Sequence, residues 1–210
     1  MEITKLQWLD KKKCIVYIDY EIAFVLYKGD LSRYGLNEQA EISRDTVADI
    51  KEAVLLKRAK LRLLYLLKNK DYTEMQLRKK LKDGWYPPDI IERAIAYIHS
   101  YGYINDEDYV FRYLECYGQR RTLREMKQKL LEKGIDAGML KRTIARWEAE
   151  GTKQDEKEMI RRILKKRNYP SAGSDRKERE KQVGFLLRKG FSRENIMCVL
   201  KEAEENAESF

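Results

Sequence analysis

Proline is scarce, at three residues in a chain of 210. Because proline removes a backbone donor and breaks helix interiors, its scarcity leaves room for long helices. Histidine occurs once, as His99. One imidazole cannot build the usual zinc or acid–base arrangement with distant partners, so His99 reads as a surface or packing residue. The three cysteines, Cys14, Cys116 and Cys198, are odd in number and far apart. No pair has metal-ligand spacing, and the expectation is reduced, mostly structural thiols in a cytosolic protein. No apolar run has the length of a signal peptide or the roughly 20 residues of a membrane span, so a cytoplasmic protein with no membrane partner is expected. No glycine-rich phosphate loop follows a strand, since Gly134 and Gly138 stand between helical patterns. Neither a Ser–His–Asp nor a Cys–His arrangement is found. Asp106, Glu107 and Asp108 lack the glycine and final glutamate of a calcium loop, and a helix start explains them without metal. The sequence thus reads as a binding protein, not an enzyme, with no cofactor.

What it has in abundance is charge. Charged residues make up 38% of the chain, against the usual quarter or so, and hydrophobic residues 43%. A helical protein with much surface per residue is the expected result. The net charge is +9. Residues 1–50 hold seven basic and nine acidic side chains, residues 51–115 thirteen and ten, and residues 116–210 twenty-four and sixteen. The positive field is therefore expected in the C-terminal half, where it suits a polyanion or an acidic protein surface.

Residues 1–45 read as a β-rich extension. Ile3–Trp8 alternates weakly, Asp10 to Lys13 makes a polar turn, and residues 14–18 (CIVYI) suit a strand. Glu21–Tyr27 fits a third strand or a buried turn of helix. A small β-hairpin element or sheet is expected, packed on a neighbour because two strands alone are marginal. Residues 46–69 place Val47, Ile50, Val54, Leu61, Leu64 and Leu67 at helical spacings. Thr73 with Gln76 forms a capping-box pattern opening a short helix that runs to Gly84. Pro87 and Pro88 suit the first turn of the next helix, which carries Ile90, Ile91, Ala94, Ile95 and Ile98 as far as Gly102. Asn105 is placed to cap another.

The same grammar recurs. Thr122 and Glu125 form a second capping box, and Met126 and Leu130 lead to Gly134. Leu140, Ile144 and Trp147 then lead to Gly151, and Thr152 with Asp155 opens a further helix. Leu77, Leu81, Ile91 and Ile95 match Met126, Leu130, Leu140 and Ile144, each 49 residues later. Leu130, Gly134, Leu140 and Ile144 match Leu186, Gly190, Ile196 and Leu200, 56 residues on, with the extra length in residues 168–174 (NYPSAGS). The expected fold is mainly α: three tandem three-helix repeats, 46–102, 103–151 and 152–210, in an elongated, curved array.

The order of these features resembles the RecX family. The residues that carry the likeness are Trp8, Ile18-Asp19, Ala23-Phe24, the turn 31–36, the run 59–67, residues 73–77 with Leu81, residues 91–95, Gly102-Tyr103-Ile104-Asn105-Asp106 and Tyr109. Leu130, Lys133-Gly134-Ile135, Leu140 and Ile144 resemble the family's second repeat. Leu77, Leu81, Asp106, Tyr109 and Gly134 stand as the structural signature. Where the family often has two acidic residues after a hydrophobic one, this chain has Asn105 and Asp106; asparagine caps a helix equally well. The resemblance implies a regulator of the RecA recombinase, acting in DNA repair, homologous recombination and the SOS response. It implies binding to RecA and its single-stranded DNA filament, inhibition of RecA ATPase, strand exchange and coprotease activity, and a monomer with direct DNA contact open to it.

Two basic groups are candidate contacts to RecA or DNA. Arg120, Arg121, Arg124 and Lys127 surround the second capping box, with 120, 124 and 127 on one side if the helix reaches that far back. Arg161, Arg162, Lys165 and Lys166 surround Ile160, Ile163 and Leu164. A solvated helix surface explains both groups equally well. Tyr109, Tyr113 and Tyr117 share one helix face and suit either base stacking or packing between repeats. A general single-stranded nucleic-acid-binding protein is the alternative reading.

Overall fold

The computed structural model describes residues 1–151, 154–169 and 176–208. Thr152 and most of the expected loop at 168–174 lie outside them. The chain forms two compact units, Met1–Asn105 and Asp106–Phe210.

The first unit opens with an antiparallel sheet of β1 (Ile3–Trp8), β2 (Lys13–Ile18) and β3 (Glu21–Tyr27), in that spatial order. The β1–β2 turn is fixed by Asp10, whose Oδ1 accepts from the N–H groups of Lys12 and Lys13 at 2.7 and 2.8 Å. Glu21–Tyr27 resolves as a strand, so the element is a three-stranded sheet rather than a hairpin. A register shift opposite Val16 and Tyr17 leaves Ala23 without a partner, a bulge that bends β3.

The inner face of the sheet carries Ile3, Cys14, Val16, Phe24 and Leu26 into one core with the helices. These are α1 (Lys28–Tyr34), α2 (Arg44–Asp49), a π-helical segment (Ile50–Leu56), α3 (Lys57–Asn69), α4 (Glu74–Lys82) and α5 (Pro88–Ser100). The sequence marked the stretch of α1 only as a turn. Gly35 ends this helix at φ 62, and Leu36 N–H returns to the Leu31 carbonyl at 2.9 Å.

The π-helical segment corrects one sequence expectation. Its i→i+5 bonding inserts a residue relative to an α-turn and rotates the buried face. Val54, Leu55 and Leu56 are buried in succession there, and the buried series then continues at Ala59 and Leu63. Leu61, expected in the core, is 58% exposed.

Thr73 and Gln76 complete their capping box, at 3.3 Å from Gln76 N–H to Thr73 Oγ1 and 3.2 Å from Thr73 N–H to Gln76 Oε1. Leu77, Leu81 and the apolar face of α5 are buried. Ion pairs Lys51–Asp89, Arg93–Glu52 and Arg78–Glu92 link neighbouring helices on the outside.

The second unit holds two cores. The first gathers α6 (Asp106–Tyr117), α7 (Leu123–Glu132) and α8 (Ala137–Ala149) around Val110, Leu114, Met126, Leu130, Ile144 and Trp147. The second gathers α9 (Glu156–Lys166), α10 (Arg176–Lys189) and α11 (Arg193–Glu208) around Ile160, Leu164, Leu186, Ile196 and Leu200. Thr122 caps α7, and its hydroxyl also donates to the Lys189 carbonyl at 2.5 Å. Lys189 Nζ meets Glu125 Oε1 at 2.6 Å, and Gln154 Nε2 donates to the carbonyls of Gly118 and Arg121 at 2.5 and 2.7 Å. The two cores are thereby tied through the start of α7. Gly118 has no room for a methyl group, since a Cβ there would stand 2.7 Å from both the Leu114 carbonyl and the Trp147 ring.

Candidate partner-binding surface

The expected basic row through Arg120, Arg124 and Lys127 does not form as one helical face. α7 starts at Leu123, and Arg120 and Arg121 lie in the turn before it, their N–H groups bonded to the Tyr117 carbonyl. Arg121 faces inward along that turn. Its guanidinium stacks over the Tyr117 ring at 4.6 Å and donates to the Tyr113 hydroxyl at 2.8 Å. Arg124 is exposed, but its stem lies against Gly190, where a Cβ would come within 2.7 Å of it. Such a stem covers backbone while its head stays in water. Lys127 and Arg120 are exposed and make no ion pair among the described residues.

The second group also divides. Arg161 reaches Glu202 at 2.8 Å and Glu158 at 3.6 Å, joining α9 to α11. Arg162 pairs with Glu158 at 3.0 Å. Both arginines thus have acidic partners at hand. Lys165 and Lys166 are exposed in the last turn of α9, where a cation suits the helix dipole, and make no ion pair among the described residues. The cations of the two groups free to meet a partner are therefore Arg120, Arg124, Lys127, Lys165 and Lys166.

The tyrosines form a ladder along α6. Tyr109 and Tyr113 stack at 6.5 Å between centroids, and Tyr113 and Tyr117 tilt together at 4.6 Å. All three are half-buried and pack against the α6–α8 core. Lys133 Nζ lies 5.5 Å over Tyr109, so a cation stands at each end of the ladder, Lys133 at one and Arg121 at the other. Lys133 is the contributor that sequence reading left out of this group. Its signal was the i, i+4 tyrosine spacing followed through to the cap of the next helix.

The remaining residues settle into structure. Asp106, Glu107 and Asp108 occupy the first turn of α6 directly after Asn105. Tyr109 lies in the ladder, and Gly134 takes φ 84 beyond α7. His99 Nε2 meets Glu74 at 2.6 Å on the surface. Cys14 is buried in β2, Cys116 is exposed, and Cys198 is half-buried with Lys157 Nζ at 3.1 Å. No group of three or more metal-ligating side chains gathers among the described residues, and no helix among them is long and apolar enough to cross a membrane.

Comparison with known proteins adds relatives of matching length. The family model described as RecX, first three-helix domain, matches residues 59–97, and that described as RecX, third three-helix domain, matches residues 154–200. The protein named Regulatory protein RecX in Clostridium acetobutylicum is 30% identical over 207 residues, spanning 95% of each chain. Its namesake in Caldanaerobacter subterraneus is 29% identical over 202 residues, spanning 93% of this chain and 96% of its own. A crystal structure of regulatory protein RecX superposes with a TM-score of 0.59 at 21% identity, over 94% of this chain and 98% of that one, and so shares the fold. The chain belongs to the RecX family of regulatory proteins.

Proposed function

We propose that the chain binds the RecA recombinase on its single-stranded DNA filament and lowers RecA's ATPase, strand-exchange and coprotease activities. The observation that carries this reading is the near end-to-end match to proteins named Regulatory protein RecX. Three consecutive helical sets, here read as repeats at 46–102, 103–151 and 152–210 behind the extension 1–45, give several weak contacts on one chain. Several weak contacts in tandem hold a polymeric partner far better than one. The uncommitted cations Arg120, Arg124, Lys127, Lys165 and Lys166 supply the attraction, and the chain acts as a monomer in the cytoplasm. Arg121, Arg161 and Arg162 support the surface by fixing the turn and the α9–α11 pair.

The test is a titration of the chain into RecA hydrolysing ATP on single-stranded DNA, at low and high salt. ATP hydrolysis falls as the chain is added, and the half-maximal concentration rises with salt because exposed charges are screened. The triple reversal Lys127→Glu, Lys165→Glu, Lys166→Glu raises that concentration roughly tenfold at low salt while leaving helix content unchanged. An unchanged rate at saturating chain sinks the proposal.

The tyrosine ladder with its terminal cations favours one second reading, direct binding of single-stranded nucleic acid, because aromatic faces and cations together suit stacked bases. That reading requires salt-dependent binding to single-stranded DNA without RecA.

A further inference from the structure

Helices α4, α7 and α10 end on one backbone device. After α7, Gly134 N–H bonds to the Leu131 carbonyl and Ile135 N–H to that of Leu130, with Gly134 at φ 84. After α10, Gly190 N–H bonds to Leu187 and Phe191 N–H to Leu186, with Gly190 at φ 96. After α4 the same two bonds run from Trp85 N–H to Lys82 and from Tyr86 N–H to Leu81. The left-handed position, φ 63, is there filled by Trp85, 49 residues before Gly134. Glycine is the residue that takes this conformation without steric cost, and the neighbouring Gly84 does not take it. Core packing does not account for the choice, because Trp85 is 47% exposed while Tyr86 beside it packs on the core. A half-exposed tryptophan held in a disfavoured conformation is an observation that points outward, to something it touches.

Trp85 stands between two adjoining hollows of about 790 and 300 Å³, within the usual size range of ligand clefts. Both are walled by β3: Ile22 and the bulged Ala23 on one side of Trp85, Val25 and Tyr27 on the other. β3 is the edge of the sheet, and its residues 21–26 make no backbone hydrogen bond outside the sheet to any described residue. An edge of this kind is a template for another strand. The charges around it are uneven. Arg58 is committed to Asp30, Glu92 to Arg78, and Asp10 to two backbone N–H groups. Lys13, Arg62 and Lys82 remain, against Asp83 and the carboxylate of Asp10, which its backbone hydrogen bonds keep ionised.

We propose that this edge docks an extended, acidic segment of a partner protein. The segment adds to β3 as a fourth strand, seats a bulky apolar side chain against Trp85 and sets a carboxylate beside Arg62 or Lys13. Main-chain bonds to β3 supply affinity, and the two hollows read alternate side chains. The site lies wholly within Met1–Asn105 and does not rest on the cations of the second unit.

The probe is a phage-displayed library of random peptides about ten residues long, the length of a strand. It is panned on the full chain after depletion on the Trp85→Gly variant. That variant carries the residue found at the matching positions after α7 and α10, and circular dichroism reports whether it keeps its fold. The expected outcome is a set of peptides with an apolar residue near an acidic one. They bind the wild type roughly tenfold tighter than Trp85→Gly or the charge-reversed Arg62→Glu, and they protect β3 amides from hydrogen exchange. Arg62→Glu keeps the test decisive if Trp85→Gly unfolds. Peptides that bind Arg62→Glu as tightly as wild type, or that leave β3 exchange unchanged, overturn the proposal, as does a library with no enriched sequence. Self-association of the wild type abolished by either variant assigns the edge to a second copy of this chain and overturns it as well.

Discussion

Asp30 is the buried charge on which the join between sheet and helices depends. It is 8% exposed, and Arg58 from α3 forks onto it at 2.5 and 2.9 Å while Tyr27 N–H donates at 2.9 Å. The Arg58 guanidinium also lies 4.7 Å over the Tyr27 ring. Burial alone pushes the Asp30 carboxyl up, but the Arg58 fork and the Tyr27 N–H outweigh it and hold the carboxyl below its ordinary 3.8. A depressed folded value means that the pair stabilises fully above the unfolded value near 3.8, and that this contribution is lost as pH falls through the folded value. Asp30→Asn leaves Arg58 without its partner and is expected to cost about 2 kcal/mol near neutral pH, less than for a fully buried pair because Arg58 is about a third exposed. Urea unfolding of both proteins at neutral pH and near pH ~3 checks this. The gap between them should narrow in acid, and a gap of constant size contradicts the account. None of this was legible in the sequence, because Asp30 and Arg58 are 28 residues apart and neither belongs to a local pattern.

Elements were legible where a local rule decides them, and illegible where tertiary structure overrides it. Both capping boxes stand as read, because a threonine followed by Gln76 or Glu125 three residues on satisfies backbone donors within one turn. The apolar face of α3 was misread, because no composition signal marks the π-helical segment that rotates it. The third helical set departs from the other two at one core position. The position of Leu77 and Met126 is taken there by Gln182, buried and held by Arg167 Nε at 2.7 Å and by Glu178 at 2.5 Å. Trp85 was readable by setting the copies side by side, since 49- and 56-residue offsets place it on Gly134 and Gly190. Thr122 has two jobs, one legible and one not. It caps α7, and it donates to the Lys189 carbonyl across to α10. Thr122→Ala therefore loses a cap, worth about 1 kcal/mol, and a half-buried hydrogen bond of similar size. The expected loss is about 2 kcal/mol in urea unfolding, with Thr122→Ser recovering most of it. A loss no larger than an ordinary cap shows that the tie to Lys189 adds nothing.

At the scale of the whole molecule, the unit boundary redraws the charge. Read in the stretches 1–50, 51–115 and 116–210, positive charge rises toward the C-terminus. Read by unit, Met1–Asn105 holds nineteen basic and fifteen acidic side chains, and Asp106–Phe210 twenty-five and twenty. The two units are nearly equal, and within the first the excess sits in residues 51–105, twelve basic against six acidic. Any long-range attraction to a polyanion is therefore shared between the units. The cores divide at the same place: Ile104 is the last residue of the first core and Val110 the first buried residue of the next. A unit with its own apolar core has what it needs to fold alone. The fragment 1–105 is accordingly expected to melt cooperatively, with the far-ultraviolet signature of mixed sheet and helix, and to keep protected amides in β2 and α5. Its hydrogen exchange should match that of the same residues in the full chain. A fragment that shows no cooperative transition, or that loses protection in α5, would mean that the first core draws stability from residues beyond Asn105.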